Sequence, residues 1–413
     1  MKIYNRKVII IVVLVIILAI VVFVFEKTRN GQITQNLLLP EGFKIETFAD
    51  KLNGPRVIEF DATGRMLVSE TKVGDILVIE DKSKDGIIQD NEKSVLLNGL
   101  KSPHGSAFYT DTKTSKTYLY IAETNKVDRY LYDINTGKVS GNPENIVNLP
   151  EGGDNYVRTI AFGPNFRKKP ILTGRTSIDT LVPIKLYISV GSSCNVCVED
   201  SWKRASILES DPDGGYLAEF AGGLRDSEFF TFNPITKEIW ATEIGRSGLG
   251  ENLPPDEIDI IKAPDDNDKF GAKRYGWPFC YGNKIKDLAF NPGSYSRTDL
   301  FEDCSKTVAP TIEIPAHSVP MGLAFISSAS GWPAQWQGNL IVAYHGSGTT
   351  GYKIARFSKD ENGKYINTGD LVSGWLKNGK ILGQPVDLKF GPDKALYVSD
   401  DYSGAIYRVT FTK

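Results

Sequence analysis

The chain has 413 residues, 41% of them hydrophobic, with 48 Lys plus Arg against 50 Asp plus Glu and a formal net charge of −2. That apolar content is enough for a large packed core, and the mildly acidic balance excludes the basic surface on which nucleic-acid binding depends. No nucleic-acid partner is expected.

From the N-terminus, Lys2, Arg6 and Lys7 precede an unbroken apolar run from Val8 to Phe25, which Glu26 and Lys27 close. At about 1.5 Å per residue the run reaches roughly 27 Å, close to a hydrocarbon core of about 30 Å. A secretory signal peptide is the alternative, but no small-residue cleavage site follows Phe25. The expectation is an uncleaved membrane anchor over 8–25, a cytoplasmic tail over 1–7, a stalk over 26–39 and an exported domain over 40–413. The basic tail sets that orientation and puts the domain outside the cytoplasm.

A weak internal repeat organises the exported part. Its clearest copies are the segments beginning Arg56-Val-Ile-Glu-Phe and Pro385-Val-Asp-Leu-Lys-Phe, each an alternating strand, a Gly-containing turn and further apolar strands. Four more units run from His104 to Tyr132, Val157 to Ile207, Ser227 to Ile261 and Met321 to Phe357. Six antiparallel units with almost no helical periodicity predict an all-β fold, a six-bladed β-propeller, in preference to a β-sandwich with a second domain. The alternating segment Phe43 to Ala49 is expected to supply the outer strand of the last blade and close the ring.

Within the first unit, Asp81, Ser83, Asp85, Ile87, Gln89 and Glu92 stand at positions 1, 3, 5, 7, 9 and 12 of a calcium-loop spacing, with Gly86 at position 6. A calcium-stapled hairpin and a solvated charged hairpin both fit. Four cysteines in an exported domain favour disulfides, Cys194 with Cys197 and Cys280 with Cys304; with a single C-x-x-C, zinc is the weaker reading. The three histidines, His104, His317 and His345, each adjoin a Gly or Pro turn, where propellers expose side chains near the central channel. Downstream, alternation puts Glu257 and Asp259 on one strand face and Asp256 on the other.

Four strings, Ser189–Cys197 (SVGSSCNVC), Gly223–Asp226 (GLRD), Gly245–Glu257 (GRSGLGENLPPDE) and Tyr275–Gly282 (YGWPFCYG), resemble the glucose/sorbosone dehydrogenase family of soluble quinoprotein aldose dehydrogenases. The resemblance extends more weakly to His317-Ser-Val-Pro-Met, His345-Gly-Ser and Leu396-Tyr-Val-Ser-Asp-Asp401. It implies a six-bladed propeller that oxidises a sugar at its anomeric carbon, passing hydride to calcium-bound pyrroloquinoline quinone and then electrons to an external acceptor. It also implies that Arg225 meets the anionic quinone, with Lys353, His345, Arg158 and Asp226 as further cofactor-facing residues. The backbone carbonyls of Gly245 and Arg246 would face the calcium.

Two departures from the family pattern stand out. Asn155 occupies the region of the family's catalytic histidine, ahead of Arg158, which leaves Asp154 or His104 as the expected base. Asp226 replaces an asparagine beside the arginine, and a carboxylate there would repel an anionic quinone unless it is neutralised. The missing histidine keeps a second reading open, a non-catalytic calcium-stabilised propeller that binds protein or glycan. Lactone hydrolysis would need a converging set of carboxylate or Asn ligands that the sequence does not offer.

Overall fold

The computed structural model describes residues 33–167, 182–264, 271–295 and 302–412, with the backbone of two short strands at Leu172–Thr173 and Thr176–Ser177. Six four-stranded antiparallel sheets follow one another around an axis. The first blade comprises Pro55–Phe60, Met66–Glu70, Asp75–Ile79 and Lys93–Leu97; the second, Ser106–Thr110, Thr117–Glu123, Lys126–Asp133 and Lys138–Asn148. The third has Ile160–Pro164, Ile184–Val190, Ser206–Ser210 and Ala218–Gly222, with Lys273–Arg274 added in parallel at its edge. The fourth has Phe230–Phe232, Ile239–Glu243, Asp256–Ile261 and Ile312–Ile314, and the fifth Pro320–Phe325, Leu340–Tyr344, Lys353–Lys359 and Tyr365–Val372. The sixth takes Pro385–Phe390, Leu396–Asp400 and Ala405–Phe411 from the C-terminal end and Phe43–Ala49 from the N-terminal end.

The sequence pattern follows from this stacking. Second strands are covered on both faces by neighbouring blades, so Met66–Glu70, Ile239–Glu243 and Leu340–Tyr344 are buried at every residue. Outer strands face water on one side and lose that continuity, as Lys138–Asn148 does. Ring closure is as expected: Phe43 lies opposite Phe411 and Ala49 opposite Ile406 in an antiparallel pair. The Phe43 ring is 4.9 Å from Trp332 and 4.7 Å from Trp336, so the joining strand is pinned by side-chain packing as well as by its ladder.

Three expectations meet the structure differently. The anchor at 8–25 lies outside the described residues, among which no helix is long and apolar enough to cross a membrane. Of the segment assigned to a stalk over 26–39, the described part from residue 33 packs onto the ring. Ile33 and Leu37 are buried in the core and Leu38 bridges Ser373, because apolar side chains in that segment find the seam beside the fifth blade. The calcium-spaced loop occupies the hairpin between the third and fourth strands of the first blade, but its carboxylates serve the backbone. Glu92 accepts the amides of Ser83 (2.8 Å) and Gln89 (3.0 Å), Asp81 that of Gly86 (2.9 Å), and Asp85 that of Ile87 (2.9 Å). Asp81, Asp85 and Glu92 do not bring their oxygens within 4.8 Å of one another; among the described residues Cys194, Cys197 and Glu199 form the one such group. Those two cysteines are joined to each other, and Cys280 to Cys304, as expected.

The ring closure carries a direct test. Phe43→Ala should lower the unfolding free energy by about 2–3 kcal/mol, less than the ~3–5 kcal/mol of a fully buried ring because Phe43 is half-buried. Urea denaturation of the variant would measure it, and an unchanged midpoint would show that the backbone ladder alone closes the ring.

Candidate functional site

In an antiparallel blade the start of the first strand and the end of the second lie at the same end, so one face of the ring collects the loops before and after those strands. A recurring acid organises this face. Glu70 accepts the amide of Asn53 (2.6 Å), Glu123 that of Lys101 (2.6 Å), Glu243 that of Asp226 (3.2 Å) and Asp400 that of Gln384 (2.9 Å). In each case the last residue of a second strand holds the loop that enters the first strand of the same blade.

At the mouth of the axis, Arg56 from the first blade pairs with Asp401 of the sixth (2.6 Å) and Glu228 of the fourth (2.9 Å). The two carboxylates keep the buried guanidinium charged against the opposing effect of its own burial. Asp401 in turn bonds His345 Nε2 (2.9 Å), while the Gln384 amide reaches His345 Nδ1 (3.0 Å). With Gln384 donating, His345 carries its proton on Nε2 toward Asp401, and Nδ1 is the basic atom. Burial alone would raise the Asp401 carboxyl, but the His345 hydrogen bond and the Arg56 charge hold it below the ordinary value. Tyr156 and Tyr402, 45% and 49% exposed, stand beside this group: Tyr402 follows Asp401, and the Tyr156 hydroxyl is within electrostatic reach of Arg56.

Arg225 forms no ion pair with a carboxylate among the described residues. Its donors rest on the carbonyls of Asn195 (3.0 Å) and Ile244 (3.2 Å) and on the Asn195 side chain (3.3 Å), while its charge is felt by the nearby carboxyls of Asp226 and Asp256 without direct contact. Asp226 beside it is fully buried, and that burial, reinforced by Glu228, pushes its carboxyl up to about 8. Its surroundings therefore favour the protonated form, which lessens the repulsion expected from the sequence. Gly191 makes this closeness feasible, since a Cβ there would lie 2.6 Å from Asn155 Cβ and 2.9 Å from Asp226 Oδ1.

The Gly245 loop is fixed at both ends: Asp256 accepts the amides of Gly245 (2.8 Å) and Val319 (2.9 Å), and His317 Nε2 meets the Gly250 carbonyl (2.9 Å). The Arg246 side chain pairs with Asp287 (2.5 Å). The carbonyls of Gly245 and Arg246 accept no hydrogen bond from the described residues.

Other residues singled out from sequence lie elsewhere. His104 is fully buried beneath the mouth, with Nδ1 on Thr159 Oγ1 (3.2 Å) and its ring against Phe229, and burial holds it well below the usual imidazole value. Asp154 is exposed, and Asn155 bonds Ser192 Oγ (2.8 Å). Arg158 is buried behind that loop, bonding the carbonyls of Asn155 and Val157 (both 2.8 Å), so it props the loop from below. Lys353 is turned to Asp370 (3.0 Å). Sequence reasoning gave no role to Arg56, Glu228, Asp401 or Gln384. The doubled acid at Asp400-Asp401 was the one local signal, and the partners lie up to 345 positions away.

The model of the TrAA12-like family matches residues 37–412. The chain belongs to that family. A Borreliella burgdorferi protein of no stated activity is 27% identical over 392 residues, covering 92% of this chain and 93% of its own. A pyrroloquinoline quinone-dependent sugar dehydrogenase of Hypocrea jecorina is 23% identical over 428 residues, covering 92% and 91%. The holo form of the pyranose dehydrogenase PQQ domain from Coprinopsis cinerea superposes with a TM-score of 0.66 at 20% identity, over 91% of this chain and 97% of that one. The family membership agrees with the resemblance carried by the four sequence strings.

Asp226 gives a pH test. Its folded value of about 8 lies above the ordinary 3.8, so the fold favours the protonated form. The corresponding stabilisation is full below pH ~4 and is lost as pH rises toward ~8. Asp226→Asn should therefore flatten the decline in denaturation midpoint between pH 5 and pH 8.5. A variant as pH-dependent as the parent would show that Asp226 does not carry the buried proton.

Proposed function

We propose that the protein is a quinoprotein sugar dehydrogenase that oxidises an aldose or related sugar at its anomeric carbon. The observation that carries this reading is Arg225: a half-buried guanidinium whose direct hydrogen-bond acceptors are all neutral, at the mouth of the ring. Such a charge fits a multiply anionic planar group, and a fixed fork of donors suits carboxylates. The Hypocrea jecorina and Coprinopsis cinerea relatives, both pyrroloquinoline quinone proteins, support that quinone as the group. The unbonded carbonyls of Gly245 and Arg246 are hard oxygen donors suited to the calcium that would accompany it.

When bound, the quinone supplies the two-electron acceptor for the hydride leaving the sugar. The chain's residues do the rest. Arg225 orients the anion, and the burial that favours protonated Asp226 keeps an opposing charge from building up beside it. Tyr156 and Tyr402 offer exposed ring faces to the apolar face of a sugar ring.

We assign the base to His345 rather than to His104 or Asp154. Its Nδ1 takes the hydroxyl proton once Gln384 swings to the carbonyls of His345 and Gly346, each 3.4 Å from its amide nitrogen. Asp401, fixed by Arg56, then stabilises the imidazolium, as an oriented carboxylate does for a histidine base. His104 is fully buried, with no access to the mouth; Asp154 has no group that orients it.

The reading is tested by titrating pyrroloquinoline quinone and calcium into the purified full chain and following aldose-dependent dye reduction. Binding with turnover is expected, and no binding would overturn it. His345→Gln should leave quinone affinity within a few-fold and lower kcat by about 10²–10⁴-fold, the range for losing a general base. Equal turnover in the variant would return the role to Asp154.

The N-terminal run Val8–Phe25 is read as an anchor that holds the ring outside the cytoplasm. Full-length protein should sediment with membranes, and a chain begun at residue 33 should stay in the supernatant.

A further inference from the structure

The loop carrying Cys194 and Cys197 does more than staple itself. Asn195, inside the short ring closed by that disulfide, bonds both halves of the cofactor region. Its backbone carbonyl accepts Arg225 Nε (3.0 Å) and Trp277 Nε1 (3.3 Å). Its side-chain oxygen accepts Arg225 (3.3 Å), the Ser247 amide (2.9 Å) and the Ser247 hydroxyl (3.2 Å), and its side-chain nitrogen donates to the Ser247 carbonyl (3.1 Å). One residue thus uses nearly all its hydrogen-bonding capacity to tie Arg225 to the loop bearing the Gly245 and Arg246 carbonyls. The same ring also reaches the position of the missing histidine: Ser192 Oγ donates to the Cys194 carbonyl (2.7 Å) and accepts from Asn155 (2.8 Å).

Two of the three acceptors that aim Arg225 therefore belong to a residue whose backbone is fixed by a two-residue disulfide ring. Opening the bridge frees the Asn195 backbone, and the arginine and the Ser247 loop lose their common support together. The bridge is also accessible. Cys194 and Cys197 are half-buried, whereas Cys280 and Cys304 are 5% and 8% exposed.

We propose that Asn195 is a positioning residue for the anion-binding arginine and the adjoining carbonyl loop, and that the Cys194–Cys197 bridge is the clamp that makes the site sensitive to dithiols. This rests on the quinone reading for the identity of the anion. In the clamp step a dithiol gives up two electrons and two protons and closes to its own disulfide, while the bond between the two Sγ atoms breaks to give two thiols.

The test uses the full chain in three forms: untreated; treated with dithiothreitol that is then removed without air; and Asn195→Ala with the bridge intact. In the protein without cofactor, phenylglyoxal modification of Arg225, read by peptide mass spectrometry, should speed up several-fold in both altered forms, and in the reduced form it should return to the original rate on reoxidation. The dissociation constant for pyrroloquinoline quinone should rise about 10- to 100-fold, the usual effect of losing a supporting hydrogen-bond shell, with kcat at saturating quinone falling far less. A purely structural role would instead shift the melting temperature with Arg225 reactivity and quinone affinity unmoved, and that result would overturn the proposal. Failure of the untreated protein to bind quinone would overturn the cofactor reading, while the Arg225 modification rate still decides whether Asn195 positions it.

Discussion

Arg56 crosses the axis of the ring, and the architecture of the mouth depends on that crossing. In a six-bladed ring the first and fourth blades face each other, so the pair with Glu228 spans the channel, while the pair with Asp401 joins neighbouring blades. A buried charge of this kind is retained only when paired on every side, since loss of one partner leaves the others uncompensated at a cost of several kcal/mol. The ion pairs thereby determine where His345 and its supporting carboxylate stand, and the packing of strands alone would leave that open.

Below this clasp the channel is a different environment. A cavity of about 390 Å³ is lined by the first strands, with Phe60, Phe108, Phe162, Phe230 and Phe232 among its walls and the Lys389–Glu59 pair (2.8 Å) at its side. Burial pushes the Asp387 carboxyl there up to about 6. The two ends of the axis thus separate by chemistry, one crowded with paired charge and hydrogen-bonding loops, the other with aromatic rings.

The fold was legible because it is written in short-range patterns: alternating strands, Gly turns at regular spacing, and an N-terminal strand that needed a partner. Both disulfides were legible because the partners of each are close in sequence, 3 and 24 positions apart. The Arg56–Asp401–His345 group was not. Its members come from three blades, and only the closing of the ring brings residues 56, 345 and 401 together. The calcium-like spacing over 81–92 is a converse case. Spacing reports which residues are near in sequence, whereas the backbone amides of that hairpin had prior claim on its carboxylates. The ionisation of Asp226 was likewise beyond the sequence, because it depends on burial among residues from several loops.

The acids at the ends of the second strands have a wider consequence. Glu70, Glu123, Glu243 and Asp400 each hold the entry loop of their own blade. In these four blades the entry loop is moored to its own sheet, while Asn195 and Asp256 tie loops of neighbouring blades to one another. The working face is therefore braced both within and between blades, so a change of length in a tied loop is felt by its neighbour.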